Sequence, residues 1–148
     1  MLLNLGCCDN HLEGFCNVDL MPPADVIADL ELTWPWEDGT VDEIVAHDIL
    51  EHLYDKVHTM NEAWRVLKQG GRMSLRVPTT DGRGAFQDPT HRSWWTANDL
   101  RYYVAGRAER ERFGGHYGIS ARFAIVSEQH SEVGEKVWYL AAVLEAIK

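Results

Sequence analysis

Leu2-Leu3-Asn4-Leu5-Gly6-Cys7-Cys8-Asp9 reads as a short apolar strand that runs into a tight turn of small residues, and Asn17-Val18-Asp19 then closes a second strand on an acid. In an open α/β sheet, ligands bind outside the carboxyl ends of the strands, where loops expose backbone amides and a strand-end acid can grip a ribose. Gly6 removes a side chain at such an end, and Asp19, with Leu20 beside it, offers two acceptor oxygens to a diol. A glycine after a strand is by itself only a turn signal. It is the order glycine turn, second strand, terminal acid that points to a nucleotide-type cofactor.

The rest of the chain continues the pattern. Ala24-Asp25-Val26-Ile27-Ala28-Asp29 predicts a third strand with an acidic end, separated from the second by Pro22-Pro23. A turn-rich aromatic stretch, Trp34 to Thr40, leads into a buried strand from Val41 to Ala46, and His47-Asp48 stands just beyond it. Leu50, Leu53, Val57, Met60, Trp64 and Leu67 recur at three- and four-residue steps, the apolar stripe of a helix packed on a sheet and ended by Gly70-Gly71. Trp64 on that stripe is expected in the core. Arg72 to Val77 alternates as a strand and meets Pro78, and a long loop runs from Thr79 to Trp95. Thr96-Ala97-Asn98-Asp99 has the form of a capping box and predicts a helix from Ala97 to Ala105. Phe123–Glu128 and Val137–Ile147 predict a terminal strand pair joined at Gly134. About seven short strands with few helices predict an α/β fold with a parallel sheet and an antiparallel edge.

At 148 residues and 45% hydrophobic content the chain fits one domain, 1–148, with a real core. Its net charge of −9, from 14 basic and 23 acidic residues, disfavours a nucleic-acid partner. The charge is uneven: residues 1–70 carry three basic and fourteen acidic side chains, whereas 83–112 carry six arginines and four acids. That segment either faces an anionic substrate or is a solvated surface with mixed pairs. An odd count of three cysteines, with no secretory leader read ahead of them, predicts a reducing, cytoplasmic setting. Cys7, Cys8 and Cys16 lack zinc-site spacing, and no metal site is expected. No apolar run approaches the roughly 20 residues of a membrane span.

Taken together, the motifs resemble those of the class I S-adenosylmethionine-dependent methyltransferases, in a compact form similar to the type 11 methyltransferase domains. Leu3-Asn4-Leu5-Gly6-Cys7 is similar to the glycine-rich first motif, Asn17-Val18-Asp19 to the end of strand two, and Ala28-Asp29-Leu30 to the motif beside the adenine. The stretch Trp34 to Asp42, His47 to Leu53, and Glu62 to Gly71 follow the family's next three motifs in order. The resemblance implies a Rossmann-like, seven-stranded, mostly parallel sheet of order 3-2-1-4-5-7-6 with reduced helices. It implies S-adenosylmethionine as cofactor, with Gly6 and Cys7 lining its methionine part, Asp19 at the ribose hydroxyls, Asp29 and Leu30 at the adenine, and Asn4, Leu20, His47 and Asp48 also at the cofactor. Cys8 stands where the family usually has a further glycine. The span from Asp9 to Asp19 is too short for the usual first helix, as in the compact subgroup.

Methyl transfer from a sulfonium is an in-line displacement, so the protein mainly aligns nucleophile and methyl at about 3–3.5 Å. A hydroxyl or amine nucleophile also needs a base, for which His is suited. His91 and Asp88, in Asp88-Pro89-Thr90-His91-Arg92, lie in the segment that forms the substrate wall in this fold, with Trp94-Trp95 as a cover. His91 is either catalytic or a tie for the long loop, and His47 is either catalytic or a sheet-edge hydrogen bonder. His52, His58, His116 and His130 read as structural or exposed. Trp34 and Trp36 either flank the adenine or cap the sheet, and Arg83 and Arg92 either meet a substrate anion or face solvent. The expected activity is methyl transfer to a small-molecule or glycan-like acceptor, compatible with a homo-oligomer. A noncatalytic methyltransferase-like binding module is the alternative, and a dinucleotide-binding reductase a weaker one, because the full G-x-G-x-x-G with its helix is missing.

Overall fold

Leu3 and Leu5 of the opening stretch are buried on one side of a strand, and Leu2 and Asn4 point to the other. In the computed structural model, which describes residues 1–148, that strand is β1 (Leu2–Leu5), at the centre of the sheet. It is followed by β2 (Cys16–Asp19), β3 (Val26–Ile27), β4 (Val41–His47), β5 (Leu67–Pro78), β6 (Phe123–Glu132) and β7 (Trp138–Ala146). The seven strands form one sheet in the order β3-β2-β1-β4-β5-β7-β6. β1 runs parallel to β2 and β4, β2 to β3, and β4 to β5, whereas β7 is antiparallel to both β5 and β6. This is the class I methyltransferase topology that the motifs imply.

The register sorts residues onto two unlike faces. Leu5 opposes Val18 and Ala46, Ala46 opposes Leu75, and Leu75 opposes Ala142. All five belong to the main core cluster, with Met60, Ala63 and Val66 of the helix α1 (Lys56–Val66). The alternate positions Val45, His47, Ser74, Arg76, Ala141 and Val143 are only half-buried or exposed. Helical cover is thus one-sided. The connections over residues 6–15 and 20–25 are shorter than the dozen or so residues a helical crossover needs. Asn4 and Asn17 take the place of a helix under the first of them. Asn4 Nδ2 donates to the Asn10 carbonyl at 2.8 Å and to Asn17 Oδ1 at 2.9 Å, and Asn17 Oδ1 also accepts from the Leu12 amide.

Several element limits differ from expectation, each for a local reason. α1 begins at Lys56, where Asp55 caps it by accepting from the His58 amide, so Leu50 falls instead in a separate 3-10 turn, Leu50–His52. The helix stops at Val66 rather than at Gly70-Gly71, because Leu67 turns extended and pairs with Val41. Trp64 packs against the core cluster only from its rim: it is half-buried, its indole donating to the Ile147 carbonyl with the Lys148 ammonium 3.9 Å from the ring centre. The third strand shrinks to Val26–Ile27. The Thr96/Asp99 capping box is present, but it starts a 3-10 helix over Ala97–Tyr102. The long loop contains a single helical turn, α2 (Gly84–Gln87), and a further short helix, α3 (Ala108–Phe113), had no periodic apolar signal to announce it.

Candidate functional site

At the carboxyl end of β1 the chain must leave the sheet abruptly, and Gly6 does so with a φ of +64°. A Cβ there would lie 2.6 Å from Ile49, so the glycine also lets the post-β4 segment close over the turn. Asp19, at the end of β2, accepts from the Cys8 amide through Oδ2 at 2.9 Å and from the Leu20 amide through Oδ1 at 2.7 Å. Each carboxylate oxygen keeps further acceptor capacity. Gly6, Asp19, Leu20, Leu30, Ile49 and Leu53 line one small cavity of about 60 Å³. Four of these six were expected at the cofactor from sequence; Ile49 and Leu53 were not, Leu53 having read as a helix-stripe residue and Ile49 having been assigned no role.

The remaining expected cofactor residues stand apart from that cavity. The Cys7 side chain is buried, its thiol pKa raised first by desolvation and then by Asp19, and its amide continues the sheet to the Val18 carbonyl. Asn4 is spent on the loop ties described above. Asp29 is exposed and accepts from the Glu31 amide in a local turn. Trp34 is buried with its indole on the Leu30 carbonyl, and Trp36 packs edge-on to it at 6.1 Å, so this pair caps the sheet end and holds Leu30. His47 sits on the open sheet face, where its Nε2 is 3.1 Å from Ser74 Oγ; desolvation and then Arg76 lower its pKa.

A second, polar cavity of about 190 Å³ lies on the other side of the post-β4 turn, with Asp48, Glu51, His52, Asp88 and His91 in its wall. The turn Leu50–His52 divides the two sites: Ile49 and Leu53 flank the first, Glu51 and His52 the second. The Glu51 carbonyl accepts from the Arg92 and Ser93 amides at 2.7 and 3.0 Å, which draws the 88–93 loop onto this turn. His91 Nδ1 is 2.9 Å from the Ala85 carbonyl and therefore carries the proton, leaving the Nε2 lone pair free. That Nε2 lies 4.0 Å from both Glu51 Oε1 and Asp88 Oδ2. Glu51 is 2% exposed, its Oε2 has no hydrogen-bond partner, and desolvation pushes its carboxyl up to about 7. Asp88 is held low by the Thr90 hydroxyl and amide.

Of the residues lining this cavity, the sequence singled out His91, Asp88 and Asp48 but not Glu51 or His52. His52, read as structural or exposed, stacks edge-on to His91 at 4.9 Å between ring centres. Trp94 is exposed and packs on Phe86, whereas Trp95 is fully buried. Arg83 pairs with Glu135, and Arg92 lies over the Tyr54 ring at 4.6 Å. Arg101 meets Glu109, and Arg110 donates to the Ala121 carbonyl. These guanidinium groups are engaged within the chain.

A family model described as Methyltransferase domain matches residues 13–75. Comparison of the sequence with curated proteins finds no match. Among solved structures, 1,6-didemethyltoxoflavin-N1-methyltransferase from Burkholderia thailandensis, bound to 1,6-didemethyltoxoflavin and S-adenosylhomocysteine, is similar at 15% identity and a TM-score of 0.65, over 99% of this chain and 71% of that one. A SAM-dependent methyltransferase from Archaeoglobus fulgidus is similar at 16% identity and 0.67, over 97% and 85% of the two chains. The N-methyltransferase NodS from Bradyrhizobium japonicum gives 14% identity and 0.65, over 99% and 85%. The fold is that of the class I S-adenosylmethionine-dependent methyltransferases, and the matched segment spans β2 through most of β5, the part of the chain that carries Asp19, Leu30 and Glu51. No helix is long and apolar enough to cross a membrane.

Proposed function

We propose that residues 1–148 form one S-adenosylmethionine-dependent methyltransferase domain, acting in the cytoplasm on a small-molecule or glycan-like acceptor. The observation that carries this reading is the adjacency of two cavities across one turn: an apolar one with a strand-end acid, and a polar one with titratable side chains. The first offers groups that would meet one edge of the cofactor's nucleoside. Asp19 retains acceptor capacity for ribose hydroxyls, Leu30 and Leu53 offer apolar walls to an adenine, and Asp29 stands next to Leu30. When bound, S-adenosylmethionine supplies an electrophilic methyl group on a sulfonium. Asp88 and the free Nε2 of His91 are the groups to take a proton from an acceptor hydroxyl or amine. His47, in a different hollow beside Ser74 and Arg76, has no part in this scheme. The net charge of −9 argues against a nucleic-acid acceptor.

The test is calorimetric titration with S-adenosylhomocysteine, with NAD as a control. One-to-one binding is expected, and Asp19→Asn should weaken it at least tenfold, about 1.4 kcal/mol. Asparagine is preferred to alanine because it keeps an acceptor for one of the two amides that the carboxylate ties. Unaltered affinity in a folded variant would remove Asp19 from the ribose; no binding to wild type would favour the noncatalytic module.

A further inference from the structure

We propose that Glu51, His52 and His91 form a binding site for a divalent first-row transition cation, set in the wall of the polar cavity. Potential ligand atoms of these three residues lie within 4.8 Å of one another. Ligand bonds of about 2.0–2.2 Å require them to close by roughly an ångström, which half-buried His52 can supply by a small rotation. Two imidazoles with one carboxylate suit such cations better than magnesium or calcium, which prefer all-oxygen sets.

Two independent observations point to a ligand there. The first is the Glu51 carboxylate, with a side chain only 3% exposed and an Oε2 that has no partner. A buried polar atom left unmatched costs free energy that a cation would recover. The second is the tautomer of both imidazoles. His91 Nδ1 donates to the Ala85 carbonyl. The Thr90 hydroxyl donates its one proton to Asp88 Oδ1 at 2.6 Å, so it can only accept from His52 Nδ1, 3.1 Å away. Both Nδ1 atoms are thereby donors, so that each neutral ring presents its lone pair at Nε2, in the orientation by a second hydrogen bond that is general among metal-bound histidines. The Thr90–Asp88 pair that fixes His52 comes from the loop drawn in by the Glu51 carbonyl, so the ligands and their supports are one assembly.

With three protein ligands the cation keeps open positions toward the cavity. Its chemical role rests on the methyltransferase reading; its binding does not. With the cation bound, His91 Nε2 is a ligand and no longer a base, so an acceptor hydroxyl on the cation would lose its proton to Asp88, and its oxygen lone pair would form the new bond to the methyl carbon. The carbon–sulfur bonding pair would pass to sulfur, leaving S-adenosylhomocysteine.

The test uses the full chain, freed of metal by a chelator, titrated with Mn²⁺ and followed by electron paramagnetic resonance and by thermal unfolding. One tight equivalent that raises the melting temperature is expected. Glu51→Gln should lose this binding while melting no lower than wild type without metal, and Thr90→Val should weaken it about tenfold by freeing His52. Zn²⁺ and Co²⁺ should compete. Binding that survives both Glu51→Gln and His91→Ala, or no binding by wild type, overturns the site. A parallel S-adenosylhomocysteine titration separates the two proposals: nucleoside binding without Mn²⁺ binding defeats this one alone, and the reverse defeats only the methyltransferase reading.

Discussion

Gly6→Ala is expected to lower folding stability by about 3 kcal/mol, the sum of two steric effects at one atom. An L-residue in the left-handed region costs roughly 1–2 kcal/mol, and Gly6 sits at φ +64°. The added Cβ would also meet Cγ1, Cβ and Cδ1 of Ile49 at 2.6 to 2.7 Å, well inside contact distance, and overpacking of this kind costs about 1–3 kcal/mol. For a chain of this size the melting temperature should fall by roughly 6–12 °C. The two causes can be separated. Ile49→Gly removes all three obstructing atoms but leaves the backbone strain at position 6, so the double variant should recover about 1–2 kcal/mol relative to additivity in urea unfolding. Strict additivity would mean that φ alone makes glycine necessary. Because Ile49 also lines the cavity shared with Asp19 and Leu30, Gly6→Ala should weaken nucleoside binding even at temperatures where the variant is folded.

The same contact shows where sequence reading reaches its limit. That Gly6 ends a strand was legible from Leu2 to Asp9, because period-two burial and a glycine turn are local signals. That its missing side chain is required by Ile49 was not, since 43 positions separate them in the chain. The strand order followed from motif succession, yet α1 was expected to reach Gly70 because Leu67 continues the helical stripe. Pairing with Val41 decides otherwise, and tertiary pairing overrides periodicity wherever an apolar residue satisfies both. In the polar cavity, Asp88 and His91 stood out because they lie in the loop after strand five, the segment that forms the substrate wall in the fold the motifs imply. Glu51 and His52 were hidden inside an apolar run, where a 3-10 turn rather than a helix sets the direction of their side chains. A pattern of spacing gives no warning of such a change in pitch.

Glu62→Ala should be comparably damaging, at about 3–5 kcal/mol, because one buried carboxylate serves three donors. Glu62 Oε2 accepts from the Trp34 amide at 2.7 Å and from Arg65 Nη2 at 2.7 Å, while Oε1 accepts from Arg65 Nε at 2.7 Å. Glu62 is 8% exposed. Arg65 in turn donates to the Trp34 and Trp36 carbonyls. Truncating the acid therefore leaves a buried amide unpaired and a partly buried guanidinium without its main counter-charge, and breaking such pairs costs about 3–5 kcal/mol. Glu62→Gln, which keeps an acceptor for Trp34 but no charge, should lose less than half as much. The Glu62 carboxyl is held below its ordinary pKa, first by the Arg65 hydrogen bonds. Its folded pKa is thus lower than its unfolded one, so the stabilisation is complete above the unfolded value and is lost as pH falls through the folded value. Wild type should accordingly lose more stability than Glu62→Gln between neutral and acid pH in urea titrations, the two curves converging at the acid end. Parallel curves would show that the carboxylate's charge is immaterial and that only its shape holds Trp34. The effect should carry to the first cavity, because Trp34 grips the Leu30 carbonyl: with that loop released, Leu30 loses its fixed place beside Asp19, and nucleoside affinity should fall in Glu62→Ala even though the substitution touches neither cavity.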